Sequence, residues 1–252
     1  MKLLQRIANI VYSGYCIVTY TIMILILVPA YAAVHFLDDR TRTLSVYRAN
    51  RVISGLWFAA CGYRLQIEGA EKIDPVQTYM FVCNHCNILD MPVTGYFLQH
   101  YYKSLAKAEL RRIPFMGFLF SAACVFVDRS SIESRRRSTQ TIMDKLKNGV
   151  SFLIFPEGTR NATQEPLKSF HNGAFKTAIM AQVPVLPIVY LDHRSLQPAH
   201  TFSFRPGTIR VRVYDAIATE GMTTTDVETL KNQVYHLLEQ TIIQEDKNFK
   251  TK

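Results

Sequence analysis

The residues best placed to do chemistry lie in one stretch, CNHCNILDMPV, Cys83 to Val93. It holds a histidine and an aspartate, His85 and Asp90, with Cys83 and Cys86 close by. In a regular helix, positions five apart are separated by about 140°, so His85 and Asp90 cannot face each other within one helix. A turn solves the problem. Pro92 lacks an N–H and is tolerated only in a first helical turn, so a helix is expected to begin near Asn87 to Asp90, with His85 in the loop before it. The curved backbone then brings the Asp90 carboxylate to one imidazole nitrogen and leaves the other free as a base. This is the logic of a catalytic triad whose nucleophile comes from the substrate. Two other readings are open at this point: an ordinary strand-to-helix turn, and a metal or redox site built on Cys83-Asn-His-Cys86. No second CxxC and no compact His/Cys cluster supports the latter, and Cys83 reads better as a small apolar strand residue.

A second stretch, Phe155-Pro-Glu-Gly-Thr-Arg160, follows the apolar Phe152-Leu-Ile-Phe155. A strand there delivers Glu157, Gly158 and Arg160 into a tight loop. Gly158 removes bulk, so a ligand can approach the backbone. Arg160 offers a planar fork suited to phosphate or carboxylate. The plainer reading is an Arg–Glu pair that braces a turn.

These loops need a scaffold. Short apolar units predict strands at Arg64–Glu68, Tyr79–Cys83, Tyr102–Ala106, Val125–Asp128, Phe152–Phe155, Val185–Tyr190 and Thr208–Tyr214. Helical patterns lie near Asp90–Gln99, Arg112–Ala122, Ser134–Lys147, Phe170–Ala181 and Thr225–Gln244. The alternation predicts an α/β fold with a largely parallel or mixed sheet flanked by helices. We expect N-terminal membrane-associated helices over residues 1–63 and the α/β domain over 64–252.

The N-terminus sets the partner. From Ile7 to Leu37 there is no Asp, Glu, Lys or Arg, and Ile7 to Val28 is long enough to cross a bilayer before Pro29 interrupts. The segment is expected to span the membrane or to dip into one leaflet and return at Pro29; the plainer alternative is a buried core helix, although such a helix rarely runs this long without charge. Lys2 and Arg6 precede it, whereas Arg40, Arg42, Arg48 and Arg51 follow, which places the main domain on the cytoplasmic side (at the inner membrane if the cell is bacterial). Leu44 to Tyr63 suits a helix lying on the membrane or one packed on the main domain. The net charge of +9 suits an anionic partner, whether nucleic acid, a surface of anionic membrane lipids or a phosphorylated substrate, and composition alone does not choose among them. Arg135-Arg-Arg137 reads as a solvated or headgroup-facing patch, and with no binding motif beside it nucleic acid is not expected. The five scattered cysteines do not form a disulfide framework. The Asn161-Ala-Thr163 sequon has no meaning on a cytoplasmic domain. His171, His193 and His200 carry no recognisable spacing.

Taken in order, NHCNILD, KAELRRIPFMG, CVFVDR, FPEGTR and VPVLPI resemble the PlsC-type glycerolipid acyltransferases, specifically the 1-acylglycerol-3-phosphate acyltransferases. The resemblance spans about Tyr79 to Tyr190. It implies that His85 is a general base and Asp90 its partner. It implies that Arg129, Glu157, Gly158, Thr159 and Arg160, with Lys107 as a further contact, hold the phosphate of lysophosphatidic acid. It also implies that Val183 to Ile188, with Val183, Pro184 and Pro187, shapes the acyl-donor side. Cys124 stands where the family's second motif has glycine, which bears on how closely a ligand passes the backbone there. The donor would be acyl-CoA or acyl carrier protein, with no cofactor and no metal. No Gly-x-Ser-x-Gly is present, so direct transfer is expected in place of an acyl-serine route. Two alternatives remain: another acceptor such as a lyso-ornithine lipid, or a non-catalytic membrane-binding module, which would not need the His85–Asp90 pair.

Overall fold

The uncharged N-terminal run forms one long helix. In the computed structural model, which describes residues 2–113, 116–128, 131–199 and 201–249, α1 spans Lys2–Ala33. It is long and apolar enough to cross a membrane, and Ile10, Val18, Ile22 and Leu25 on its outer side are exposed. The sequence led us to expect an interruption at Pro29, but the helix runs through it. Proline removes a single backbone hydrogen bond, and here that loss falls close to the helix end. The chain reverses only afterwards, through a 3₁₀ turn at Val34–Phe36.

Asp38 then caps α2, Asp39–Ala60, by accepting from the backbone N–H groups of Arg40 and Thr41. Of the two readings of this segment, the structure supports packing on the main domain. Val46, Tyr47, Trp57 and Phe58 are buried in a core shared with the sheet. α1 is tied to this layer by polar contacts: Trp57 Nε1 donates to the Cys16 carbonyl at 3.1 Å, and Tyr12 Oη to the Cys61 carbonyl at 2.5 Å. Trp57→Ala at so enclosed a position would cost about 3–5 kcal/mol.

The strands are β1 Tyr63–Glu68, β2 Met80–Cys83, β3 Tyr102–Lys107, β4 Cys124–Val127, β5 Ser151–Ile154, β6 Val185–Leu191 and β7 Gly207–Val213. They form one sheet in the order β1-β7-β6-β2-β5-β3-β4. Every neighbouring pair is parallel except β6 and β7. The remaining helices are α3 Asp90–Phe97, α4 Met116–Ala123, α5 Ile132–Lys147, α6 Gly173–Ala181, α7 His193–Leu196 and α8 Val227–Glu245. Side chains alternate between the faces of a strand, so β2 serves two cores. Phe81 and Cys83 pack with α2 and α3 on one side, while Met80 and Val82 pack with α5, α6 and α8 on the other. The carboxyl ends of β2, β5, β3 and β6 thus meet at one edge, where open α/β sheets place their sites.

Candidate active site

His85 follows β2 and Asp90 opens α3, with Pro92 in the helix's first turn. The turn between them closes as the proline requires. His85 Nδ1 lies 2.7 Å from Asp90 Oδ2. The same oxygen accepts from the backbone N–H groups of Cys86 at 2.7 Å and Asn87 at 3.1 Å. Burial alone would raise the Asp90 pKa, but the hydrogen bonds from His193 and His85 outweigh it and hold the carboxyl below its ordinary value. Asp90 is therefore an anion, and His85 donates to it from Nδ1. That leaves Nε2 as the free lone pair of a ring still partly exposed, at 17%. The Phe155 ring stacks on the imidazole, with centroids 4.1 Å apart and planes 19° from parallel.

The FPEGTR loop reaches the same place from β5. Glu157 is 2% exposed and does not face a ligand. Its Oε1 accepts from the His85 backbone N–H at 2.7 Å, and its Oε2 from the Lys168 N–H at 2.9 Å. Burial raises its pKa, and those two hydrogen bonds only partly offset the rise. Its expected phosphate role thus gives way to a structural one, and a carboxylate would in any case repel phosphate. The loop is also fastened by the Asn161 N–H, which donates to the His85 carbonyl at 2.8 Å. Gly158 has φ 73°, and an added Cβ would meet the His171 ring at 3.0 Å. This position therefore needs glycine both for its backbone angle and for space. Thr159 accepts from Lys168 Nζ at 2.6 Å.

Arg160 is exposed and, among the described residues, makes no hydrogen bond or ion pair, so its guanidinium is available. It completes the lining of a cavity of about 450 Å³ that Tyr31, Tyr47, Met91, Gly95 and Phe120 wall with mostly apolar surface. The turn-bracing Arg–Glu pair is absent: Glu157 faces inward and Arg160 outward. On the other side of the sheet a second cavity, of about 480 Å³, lies between α5 and α6 and touches Phe155 and Gly158. Lys107 ends β3 and is exposed. Arg129 lies outside the described residues.

The expected donor-side residues are elsewhere. Met80 at the start of β2 pairs with Val185, and its N–H donates to the Pro184 carbonyl. Val183 and Pro184 therefore sit at the amino-terminal edge of the parallel strands, roughly 10 Å of strand away from the site. Val183 belongs to the core under α6 and α8. Pro187 is buried opposite Val82. Its carbonyl accepts from Tyr214, so its missing N–H points to the same side, just before the ladder with β7 begins at Ile188. That is why a central strand accepts a proline here. These positions build the sheet, and none lines either of these two cavities.

The cysteines are not poised as thiolates. Burial pushes both Cys83 and Cys86 well above the ordinary thiol value. Cys83 faces the core, and Cys86 serves through its backbone N–H. Several site residues had no signal in the sequence. Asn84 clamps β2 to β6 by donating to the Tyr190 carbonyl and accepting from its N–H. The Asn87 amide holds the His193 and Gln197 carbonyls. His193 Nδ1 lies 2.6 Å from Asp90 Oδ1, across 103 residues of chain.

The acyltransferase family profile matches residues 64–191. An uncharacterized acyltransferase of Schizosaccharomyces pombe is 30% identical over 213 residues, which cover 82% of this chain and 75% of that protein. The human 1-acyl-sn-glycerol-3-phosphate acyltransferase alpha is 34% identical over 180 residues, covering 69% of this chain and 62% of that one. The chain thus spans less than two thirds of the length of this human relative. In fold it is similar to the crystal structure of the 1-acyl-sn-glycerophosphate acyltransferase PlsC from Thermotoga maritima, with a TM-score of 0.80 at 24% identity over 96% of this chain and 99% of that one. On these matches the chain belongs to the acyltransferase family.

Proposed function

We propose that this chain transfers an acyl group from an acyl thioester to the sn-2 hydroxyl of 1-acylglycerol 3-phosphate, giving phosphatidic acid for phospholipid biosynthesis. The observation that carries this reading is a histidine base oriented by a buried carboxylate and sharing its edge of the sheet with an unpaired arginine at an apolar cavity. Such a cavity suits an acyl chain, and the arginine suits the phosphate at its end.

The sn-2 hydroxyl is far too weak an acid to ionise at neutral pH. His85 Nε2 accepts its proton as the oxygen bonds to the thioester carbonyl carbon. When the tetrahedral adduct collapses, the C–S bond breaks and the leaving sulfur takes that proton from Nε2, which returns His85 to its neutral form. Base assistance of this kind is worth about 10²–10⁴ in rate. No side chain of the protein becomes acylated. The exposed apolar face of α1 supports a bilayer location, from which the lysolipid acceptor can be drawn. Four arginines after the uncharged run of α1 against Lys2 and Arg6 before that run support a cytoplasmic position for the α/β domain.

The test is acyl transfer by the purified full chain, with lysophosphatidate and a panel of lysolipids, lyso-ornithine lipid included, and with acyl-CoA and acyl carrier protein thioesters as donors. Turnover restricted to, or fastest with, the phosphate-bearing acceptor is expected. Faster turnover of an acceptor without phosphate overturns the assignment of the acceptor. Absence of turnover with every pair overturns the enzymatic reading and leaves a membrane-binding module.

A further inference from the structure

Asp90 has two carboxylate oxygens, and the reaction outlined above uses only one. Oδ2 takes His85 and two backbone N–H groups. Oδ1 takes the Nδ1 of a second histidine, His193, at 2.6 Å. Both side chains of this second pair are 0% exposed. A carboxylate oxygen only accepts, so His193 donates from Nδ1. Its Nε2 is buried and has no partner among the described residues, which fits a neutral ring with its single proton on Nδ1 and not a buried imidazolium.

The second histidine is held as firmly as the first. The Tyr190 ring stacks on it, with centroids 5.1 Å apart and planes 20° from parallel. The Tyr190 hydroxyl is in turn fixed by Thr94 Oγ1 at 2.6 Å. The His193 carbonyl accepts from the Asn87 side-chain amide at 2.7 Å and from the Gln197 N–H at 2.9 Å. Asn87 belongs to the loop that carries His85, so the two histidines are linked through the backbone as well as through Asp90.

With a single oxygen held, a carboxylate can rotate about its Cβ–Cγ bond and lose its line to the imidazole. With both held it cannot. An N–H on Oδ1 also draws charge from the carboxylate and moderates its pull on His85. We propose that His193 is a positioning residue for acyl transfer: by donating to Oδ1 it fixes the plane of the Asp90 carboxylate, so that Oδ2 stays on His85 Nδ1 with the opposite ring nitrogen aimed at the acceptor hydroxyl. This inference rests on the acyltransferase reading. Among the described residues, the other ionisable groups that interact with Asp90 are Cys83 of β2, Cys86 in the His85 loop and Tyr190 of β6. None of these side chains bonds His193.

Three variants of the full chain in detergent test it. His193→Phe keeps the ring on Tyr190 and removes the donor. His193→Asn keeps an N–H at the δ position and removes the ring. His193→Leu has the shape of asparagine without its N–H, and it replaces the phenylalanine variant if that one does not fold. The donor-less variant is expected to lose about 10- to 100-fold in kcat, as is usual when the partner that orients a functional group is removed, with both KM values unchanged. The acid limb of its kcat/KM profile is expected to move to higher pH, because Oδ1 without its donor pulls harder on His85. His193→Asn is expected to recover most of kcat and to restore the limb. A folded donor-less variant with wild-type kcat and limb, a loss confined to KM, or an asparagine variant no better than the donor-less one overturns the role of His193. These outcomes differ from failure of the underlying reading, in which wild-type protein itself does not turn over.

Discussion

The Glu157 Oε1 atom accepts the backbone N–H of His85 at 2.7 Å, across 72 residues of sequence. The acidic residue of the FPEGTR loop is therefore a strut for the His85 loop, and of the two it is Arg160 that faces the cavity. One loop so does two jobs. Glu157 turns inward to fix the position of His85, and Arg160 turns outward to the apolar cavity.

Glu157→Gln separates the two jobs. Glutamine offers one acceptor oxygen where two N–H groups now bond, so one buried donor is stranded at a cost of about 1–3 kcal/mol. Thermal unfolding is expected to show the loss. Steady-state kinetics is expected to show kcat falling while the acceptor KM stays put. A rise in the acceptor KM alone would return Glu157 to the ligand.

His85→Ala is expected to lose about 10²–10⁴ in kcat, the usual worth of a positioned base, with membrane binding and fold retained. Asp90→Asn fares little better. Four N–H donors converge on that carboxylate, and an amide turns an NH₂ toward some of them. Near wild-type turnover by either variant would remove the pair from the chemistry.

The same carboxylate sets a pH dependence of stability. Its folded pKa lies below the ordinary 3.8, through the hydrogen bonds that outweigh burial. The stability it contributes is fully present above that ordinary value and is lost as pH falls through the folded one. Melting curves of wild-type and Asp90→Asn protein are therefore expected to differ at neutral pH and to converge in strong acid. A gap that is constant with pH would mean that the charge of Asp90 is not what the fold uses.

Arg160→Ala is expected to act on the phosphorylated acceptor and to spare the thioester. A hydrogen bond to a charged group contributes roughly 1.5–3 kcal/mol, or about 10- to 150-fold in acceptor kcat/KM. Arg160→Lys should recover only part, since lysine keeps the charge and loses the fork. The measurement is kinetics with each substrate varied in turn. A defect confined to the thioester would refute the phosphate role.

The outer face of α1 can be tested without touching its contacts with α2. Val18 and Ile22 are 56% and 51% exposed. Arginine at both positions should cost about 2.5–3.5 kcal/mol each if they lie near the bilayer centre, and should shift the protein from the membrane pellet to the supernatant on ultracentrifugation. Unchanged sedimentation would place the anchor elsewhere.

Local pattern made much of this legible. Every expected strand forms, with each end within one residue of its place, because period-two burial and turn residues are properties of neighbours in the chain. Pro92 marked the start of α3, and the turn it imposes made His85 and Asp90 meet. What the sequence left undecided lay in contacts between segments far apart. Whether α2 faced lipid or sheet depended on a core contributed by β1 and α3. The VPVLPI motif sits next to the site in sequence logic, yet parallel pairing sends Val183 and Pro184 to the far edge, since strands that run together put their amino ends together. Glu157 and Arg160 look alike in one loop as polar residues near a glycine, and only the position of the His85 loop makes one a strut and leaves the other free. His193 reaches Asp90 because β6 lies beside β2 in the sheet, and no spacing in the chain encodes that adjacency. Residue types and short-range spacing determined which chemistry was at hand, and the order of the strands decided which side chains share it.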